Sequence, residues 1–238
     1  MPGFKIHITG STIVGVAYGA GAWYLGGIPP ETCVLAAGLC SVSGMLPDLD
    51  SGPGVPLRES CAFAAAVVPM LMIHRFHQMG FPLETMILVG AAIYLTIRFG
   101  VSTLLKRFAI HRGMFHSLPA ALIAGEIAFL AFSSEQPLYR YFICSAVVVG
   151  FLSHLILDEI WSVKLGMFGP SFKKSFGTAL KFAGPTLWSN VLTYVLAGLL
   201  GIATAQDAAW SEKTSIAKQQ LEQASRTIQT TPTPWVRR

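Results

Sequence analysis

Residues 141–160 read YFICSAVVVGFLSHLILDEI, and this stretch decides the fold. It carries no acidic or basic residue before His154, and a helix of about 20 such residues crosses the ~30 Å hydrocarbon core of a bilayer. His154 and Asp158 stand four residues apart near its end, so both project from one stripe of the helix. Ionisable groups are costly in lipid, which makes the pair a candidate functional site from its position alone. Two readings are open for it: a structural hydrogen bond within the pair, or a shared grip on a metal ion.

Working outward, apolar runs of similar length recur along the chain. Seven spans are expected, at about 10–27, 31–47, 61–78, 84–104, 117–133, 141–160 and 186–205. The third is the weakest, because it runs into His74, Arg75 and His77, and a tilted or partly inserted helix is expected there. Of the 238 residues 53% are hydrophobic and 12% charged, against roughly a quarter charged in soluble proteins. The fold class expected is therefore all-α, a polytopic membrane helical bundle. One embedded domain covers residues 1–206, and a polar, flexible tail rich in Gln, Ser, Thr and Lys covers 207–238. The first apolar run follows a single basic residue, Lys5, and leads directly into the second, so it is expected to stay as a helix rather than be cleaved. Gly15 and Gly19 form a GxxxG step suited to close helix packing. Cys33, Cys40, Cys61 and Cys144 lie in or beside apolar runs without CxxC spacing and read as buried thiols.

Charge sets the expected orientation. Lys5, Arg58, Lys106, Arg107, Arg112, Lys164, Lys173, Lys174 and Lys181 fall on the N-terminal side of the seven spans, whereas the opposite loops carry Arg75 and Arg140. Basic loops face the cytoplasm, which places the N-terminal side there. The net charge of +5 is dispersed among loops and tail, so lipid head groups rather than nucleic acid are the expected partner. The loop from Ser162 to Pro185 mixes four lysines with Leu165, Met167, Phe168, Phe172, Phe176 and Phe182 and is expected to lie on the inner leaflet.

The same count of spans collects chemistry at one face. His7 precedes the first span, Asp48 and Asp50 follow the second, His111 and His116 precede the fifth, and His154 and Asp158 end the sixth. An even number of spans separates these groups, so all seven residues fall on one side, while His74 and His77 fall on the other. Imidazole and carboxylate suit Zn, Mn or Fe. Catalytic zinc keeps three protein ligands and an open position, so seven candidates favour two divalent ions with an activated water. Arg112 could present its fork to a phosphate oxygen, and Glu159 is a candidate acid or base. Arg98 and Glu126 stand inside spans without an assigned role.

These blocks in this order, an N-terminal His, Leu-Pro-Asp-Leu-Asp, His-Arg-Gly-x-x-His-Ser and Ser-His-x-x-x-Asp on an apolar helix, resemble the YdjM-like family of bacterial inner-membrane metal-dependent hydrolases. The resemblance covers about His7 to Asp158. It implies a multi-helix membrane fold, a His/Asp metal site matched at all seven positions, and a phospholipase-like activity. The function expected is hydrolysis of an ester bond reachable from the cytoplasmic interface, with membrane lipid as both environment and substrate. The alternatives are a metal-ion or solute transporter, whose site would sit near the midplane, and a noncatalytic membrane scaffold.

Overall fold

The computed structural model describes residues 3–50, 55–104, 114–166, 169–172 and 180–207, with side chains described except at 50, 55, 56, 163–166 and 169–172. Helix α1, Phe4–Gly26, ends where Gly27 takes a left-handed φ of 62° and returns its N–H to Ala22. Proline opens α2, Pro30–Ser43, consistent with its preset φ at a first helical position. A 3₁₀ turn, Leu46–Asp50, follows. Next come α3, Val55–Leu71, and α4, Ile73–Gln78, broken at Met72. Helix α5, Leu83–Leu95, runs on through a π-helical segment, Thr96–Val101. Helix α6, Leu118–Ala131, is capped by the Ser117 side chain, which accepts from the Ala120 N–H at 3.3 Å. Helix α7 spans Pro137–Ser162 and α8 spans Leu187–Gln206. A short antiparallel hairpin, β1 Val163–Gly166 with β2 Gly169–Phe172, starts the basic loop.

Every expected span is met by a helix, with different lengths. Among the described residues, four helical stretches are long and apolar enough to cross a membrane: Leu57–Gln78, Leu83–Leu104, Pro137–Ser162 and Leu187–Gln206. The third expected span, read as the weakest, is among them. By contrast α2 and α6 have 14 residues each, about 21 Å of helix. They stop short because Gly44 and the Leu46–Asp50 turn end one, and the Ser117 cap starts the other only after His116.

Helix α7 is the hub. It packs against α1, α2 and α6, α6 in turn carries α8, and α3 packs on α5 and on the 3₁₀ turn. Small residues let these backbones meet. A Cβ on Gly15 or Gly19 would come within 2.6 or 2.7 Å of the α2 carbonyls of Ala37 and Cys33, as the GxxxG step requires. Gly150 of α7 lies tighter still, with a Cβ there 2.0 Å from the Cys40 carbonyl oxygen. Among the described residues the four cysteines form no disulfide, three of them being buried and Cys144 half-buried. The apolar outer faces of α5 and α8 are open, as expected of helices bathed in lipid.

Polar contacts close the end opposite His154. Arg140, 4% exposed, donates from Nε to the Phe132 carbonyl at 3.0 Å and from Nη2 to the Phe129 carbonyl at 2.9 Å. Its Nη1 pairs with Asp207, which also takes Arg75 Nη2 at 3.0 Å. Asp207, read as the first residue of the tail, is thus fastened to the bundle. The rest of the expected tail, 208–238, lies outside the described residues.

Candidate metal centre

Four helix ends converge on one point. His7 comes from the first turns of α1, Asp48 from the 3₁₀ turn after α2, His116 from just before the α6 cap, and His154 with Asp158 from the last turns of α7. His7, His116, His154 and Asp158 are 2%, 3%, 0% and 5% exposed. The Asp48 side chain is 22% exposed, so the site opens on its side.

The spacings are regular. His7 Nε2 lies 3.4 Å from Asp158 Oδ1, and His116 Nε2 lies 3.6 Å from Asp48 Oδ1 and 3.8 Å from Asp158 Oδ2. His154 Nε2 lies 3.8 Å from both Asp48 Oδ1 and Asp158 Oδ2. Ligand atoms of His7, His154 and Asp158 all fall within 4.8 Å of one another, and so do those of Asp48, His116 and His154. The rings of His7 and His154 stack with centroids 3.6 Å apart and planes 13° from parallel.

His154 shows which kind of partner the cluster suits. Its Nδ1 stands 2.6 Å from the Gly44 carbonyl oxygen, which can only accept, so Nδ1 carries the hydrogen. In the neutral ring Nε2 is then a bare lone pair, and it faces two carboxylates across distances too long for a hydrogen bond. His154 Nε2, His7 Nδ1 and both Asp158 oxygens are buried without a hydrogen bond. Acceptors crowded together in a dry site are costly unless a cation lies among them. Donors around an ion with bonds of about 2.1 Å stand about 3.4 Å apart in tetrahedral geometry. The donor chemistry and the observed spacings therefore fit a divalent ion.

At Asp48, outside the spans, burial acts to raise the carboxyl. The neighbouring His116, 3.6 Å away, together with His154 and His7, outweighs it, holding the group below the usual carboxylate range.

Five of the seven candidate ligands are thus gathered in one cluster. Asp50 closes the 3₁₀ turn, but its side chain, together with His111 and Arg112, lies outside the described residues. Glu159 follows Asp158 and so leaves the helix about 100° round from it; Ser162 Oγ donates to its carbonyl at 2.6 Å. His74 stands on α4, its ring Nε2 3.1 Å from Gln78 Nε2, away from the cluster. Sequence reasoning missed the Gly44 carbonyl that orients His154. Only the Ser-Gly-Met step before Leu46 could have hinted at it, because a glycine there lets α2 approach α1 and α7 closely.

A bundle of apolar helices with buried His and Asp side chains gathered at one end defines a polytopic membrane protein with a candidate metal centre. The chain belongs to the YdjM inner membrane protein family, whose model matches residues 6–218. No curated protein and no solved structure matches it.

Proposed function

We propose that this protein is a membrane-embedded, metal-dependent hydrolase acting on a lipid ester, with its site on the cytoplasmic side of the inner membrane. The observation that carries the reading is the buried convergence of three imidazoles and two carboxylates, with the His154 lone pair aimed at acceptors. His7, His116, His154, Asp48 and Asp158 offer more than the three protein ligands that one catalytic ion needs. A second ion, as the ligand count suggests, would draw on Asp50 and His111.

A divalent ion held by these residues would supply Lewis acidity and a hydrolytic water active near neutral pH. The chain supplies the rest. The Gly44 carbonyl fixes the His154 tautomer and ring plane, burial keeps the site dry, and Asp48, the most exposed of the five, marks the side open to water and substrate. Glu159 and Arg112 are candidates for proton handling and for holding an anionic oxygen.

Lipid is supported as substrate by what lies beside His116. The basic loop returns to the site, where the Leu118 N–H donates to the Lys181 carbonyl at 3.1 Å, two residues from His116. Around Lys181, Phe182 is 66%, Leu187 73% and Trp188 81% exposed. Apolar and aromatic side chains beside a lysine suit the head-group layer. The test is a lipid-hydrolysis screen with protein in vesicles of phosphatidylglycerol or phosphatidylcholine, followed by mass spectrometry. Metal-dependent loss of lipid that chelator abolishes is expected. Lipid left intact with every ion, by protein that retains its metal, would refute the hydrolase reading.

A further inference from the structure

Glu126 lies in α6, well away from the cluster just described, and its surroundings differ in kind. Gly125 turns toward α7, where a Cβ would strike Val148 at 2.5 Å. The next residue, Glu126, turns toward α8: a Cβ on Gly201 would lie 3.2 Å from Glu126 Oε1. Glycine at 201 therefore makes the room the carboxyl occupies. Glu126 Oε2 is buried without a hydrogen bond, and so is the hydroxyl of Thr204, a residue 9% exposed one turn along α8.

Both groups are placed at one depth by their neighbours. Phe129, three residues after Glu126, gives its carbonyl to Arg140, and Asp207, three residues after Thr204, pairs with the same Arg140. Three residues are about 4.5 Å of helix, so Glu126 and Thr204 each lie about one turn inward from the Arg140–Asp207 pair. Among the described residues, no charged group forms an ion pair with the carboxyl. Arg140 is committed through Nε, Nη1 and Nη2 to Phe132, Asp207 and Phe129. On α7, Tyr141 packs against the Phe129 ring, and the Cys144 thiol turns to the Tyr141 carbonyl. On α8, the Tyr194 hydroxyl is bonded to the Phe182 carbonyl at the other end of the helix.

We propose that Glu126 and Thr204 form a proton-binding site inside the bilayer, between α6 and α8, entered from the face that carries Arg140 and Asp207. A carboxylate facing lipid without a counter-charge is costly, and a bound proton removes that cost. Two oxygen-bearing side chains are too few for a hard metal cation, which takes about six oxygens. The path inward is short, since Thr204 stands three residues, about 4.5 Å of helix, before Asp207.

The experiment uses the full chain in liposomes, treated with dicyclohexylcarbodiimide, an apolar reagent for protonated carboxyls, and read by peptide mass spectrometry. The acid proton passes to a carbodiimide nitrogen, the carboxyl oxygen adds to the central carbon, and acyl transfer to nitrogen leaves an N-acylurea holding the whole reagent. An adduct at Glu126 is expected, with a yield that falls as the buffer is made alkaline. Glu126→Gln should abolish it while keeping bound metal, and Gly201→Val, which fills the space beside Oε1, should lower it several-fold at equal folded yield. Three results would each overturn the proposal: no adduct at Glu126, an adduct formed equally well by a charged, water-soluble carbodiimide, or wild-type yield in Gly201→Val.

Discussion

Replacing Gly150 by alanine should disable the candidate metal centre from a distance. The added Cβ would sit 2.0 Å from the Cys40 carbonyl oxygen and 2.1 Å from Ser43 Oγ, and real Cβ contacts stay beyond 3.0 Å. Backbone is what it meets, so α2 must move from α7 by about 1 Å rather than a side chain rotating aside. Gly44, the residue after α2, would move with it, carrying its carbonyl from 2.6 Å to about 3.6 Å from His154 Nδ1, outside hydrogen-bonding range. Losing a partner that orients a metal-binding histidine typically costs 10–100-fold in affinity, and overpacking of this kind costs about 1–3 kcal/mol. The assay is metal titration against a competing chromophoric chelator, with thermal unfolding of the same detergent-solubilised protein. Affinity within twofold of wild type, with an unchanged Tm, would refute the claim that α2–α7 contact sets the geometry of the site.

Three further outcomes follow from the same structure. Metal affinity should fall as the pH is lowered, because an imidazole binds metal only when neutral and protons compete for it. Asp48, held below the usual carboxylate range, loses its contribution only as pH falls through that lowered value. An affinity that stays flat as the buffer is acidified in the chelator titration would count against histidine ligation. Arg140→Leu leaves Asp207 paired with Arg75 and takes the donors from the Phe129 and Phe132 carbonyls, and should destabilise the bundle by about 1–3 kcal/mol, seen as a lower Tm, with metal content unchanged because residues 140 and 154 are about 21 Å apart along α7. Single cysteines at positions 50, 112 and 173 of a cysteine-free variant should share one pattern of protection from an external impermeant thiol reagent, and those at 77 and 136 the other. Labelling of position 112 but not 50 from outside would break the one-face arrangement.

Much of this was legible in the sequence because lipid punishes charge. Hydropathy placed a helix at every expected span, and the cost of ionisable groups singled out His7, Asp48, Asp50, His111, His116, His154 and Asp158, which even spacing by spans put on one face; the five whose side chains are described meet in one cluster. Hydropathy says less about length. Apolar residues continue past Ser43 through Met45 and Leu46 although the helix has ended, so α2 read longer than it is. What stayed hidden is whatever depends on a partner from another helix. The Gly44 carbonyl has no side-chain signature, and Asp207 looked like the start of a polar tail until Arg140 and Arg75 were seen to hold it. Glu126 stood out in the sequence as a lone charge, but its meaning came from Gly201 and Thr204 on α8. Arg98 sits in the π-helical segment Thr96–Val101, and nothing in the structure explains its charge.

The central claim is that the buried His/Asp cluster holds metal, and bound metal per folded chain tests it most directly. Protein purified in detergent should carry at least one equivalent of Zn, Mn or Fe, and a second equivalent should depend on Asp50 and His111. The double variant His154→Leu with Asp158→Leu replaces two ligands by apolar side chains on a helix held by packing along its length. Folded yield close to wild type with metal lost is the predicted result. A folded double variant that retains wild-type metal content would contradict the account.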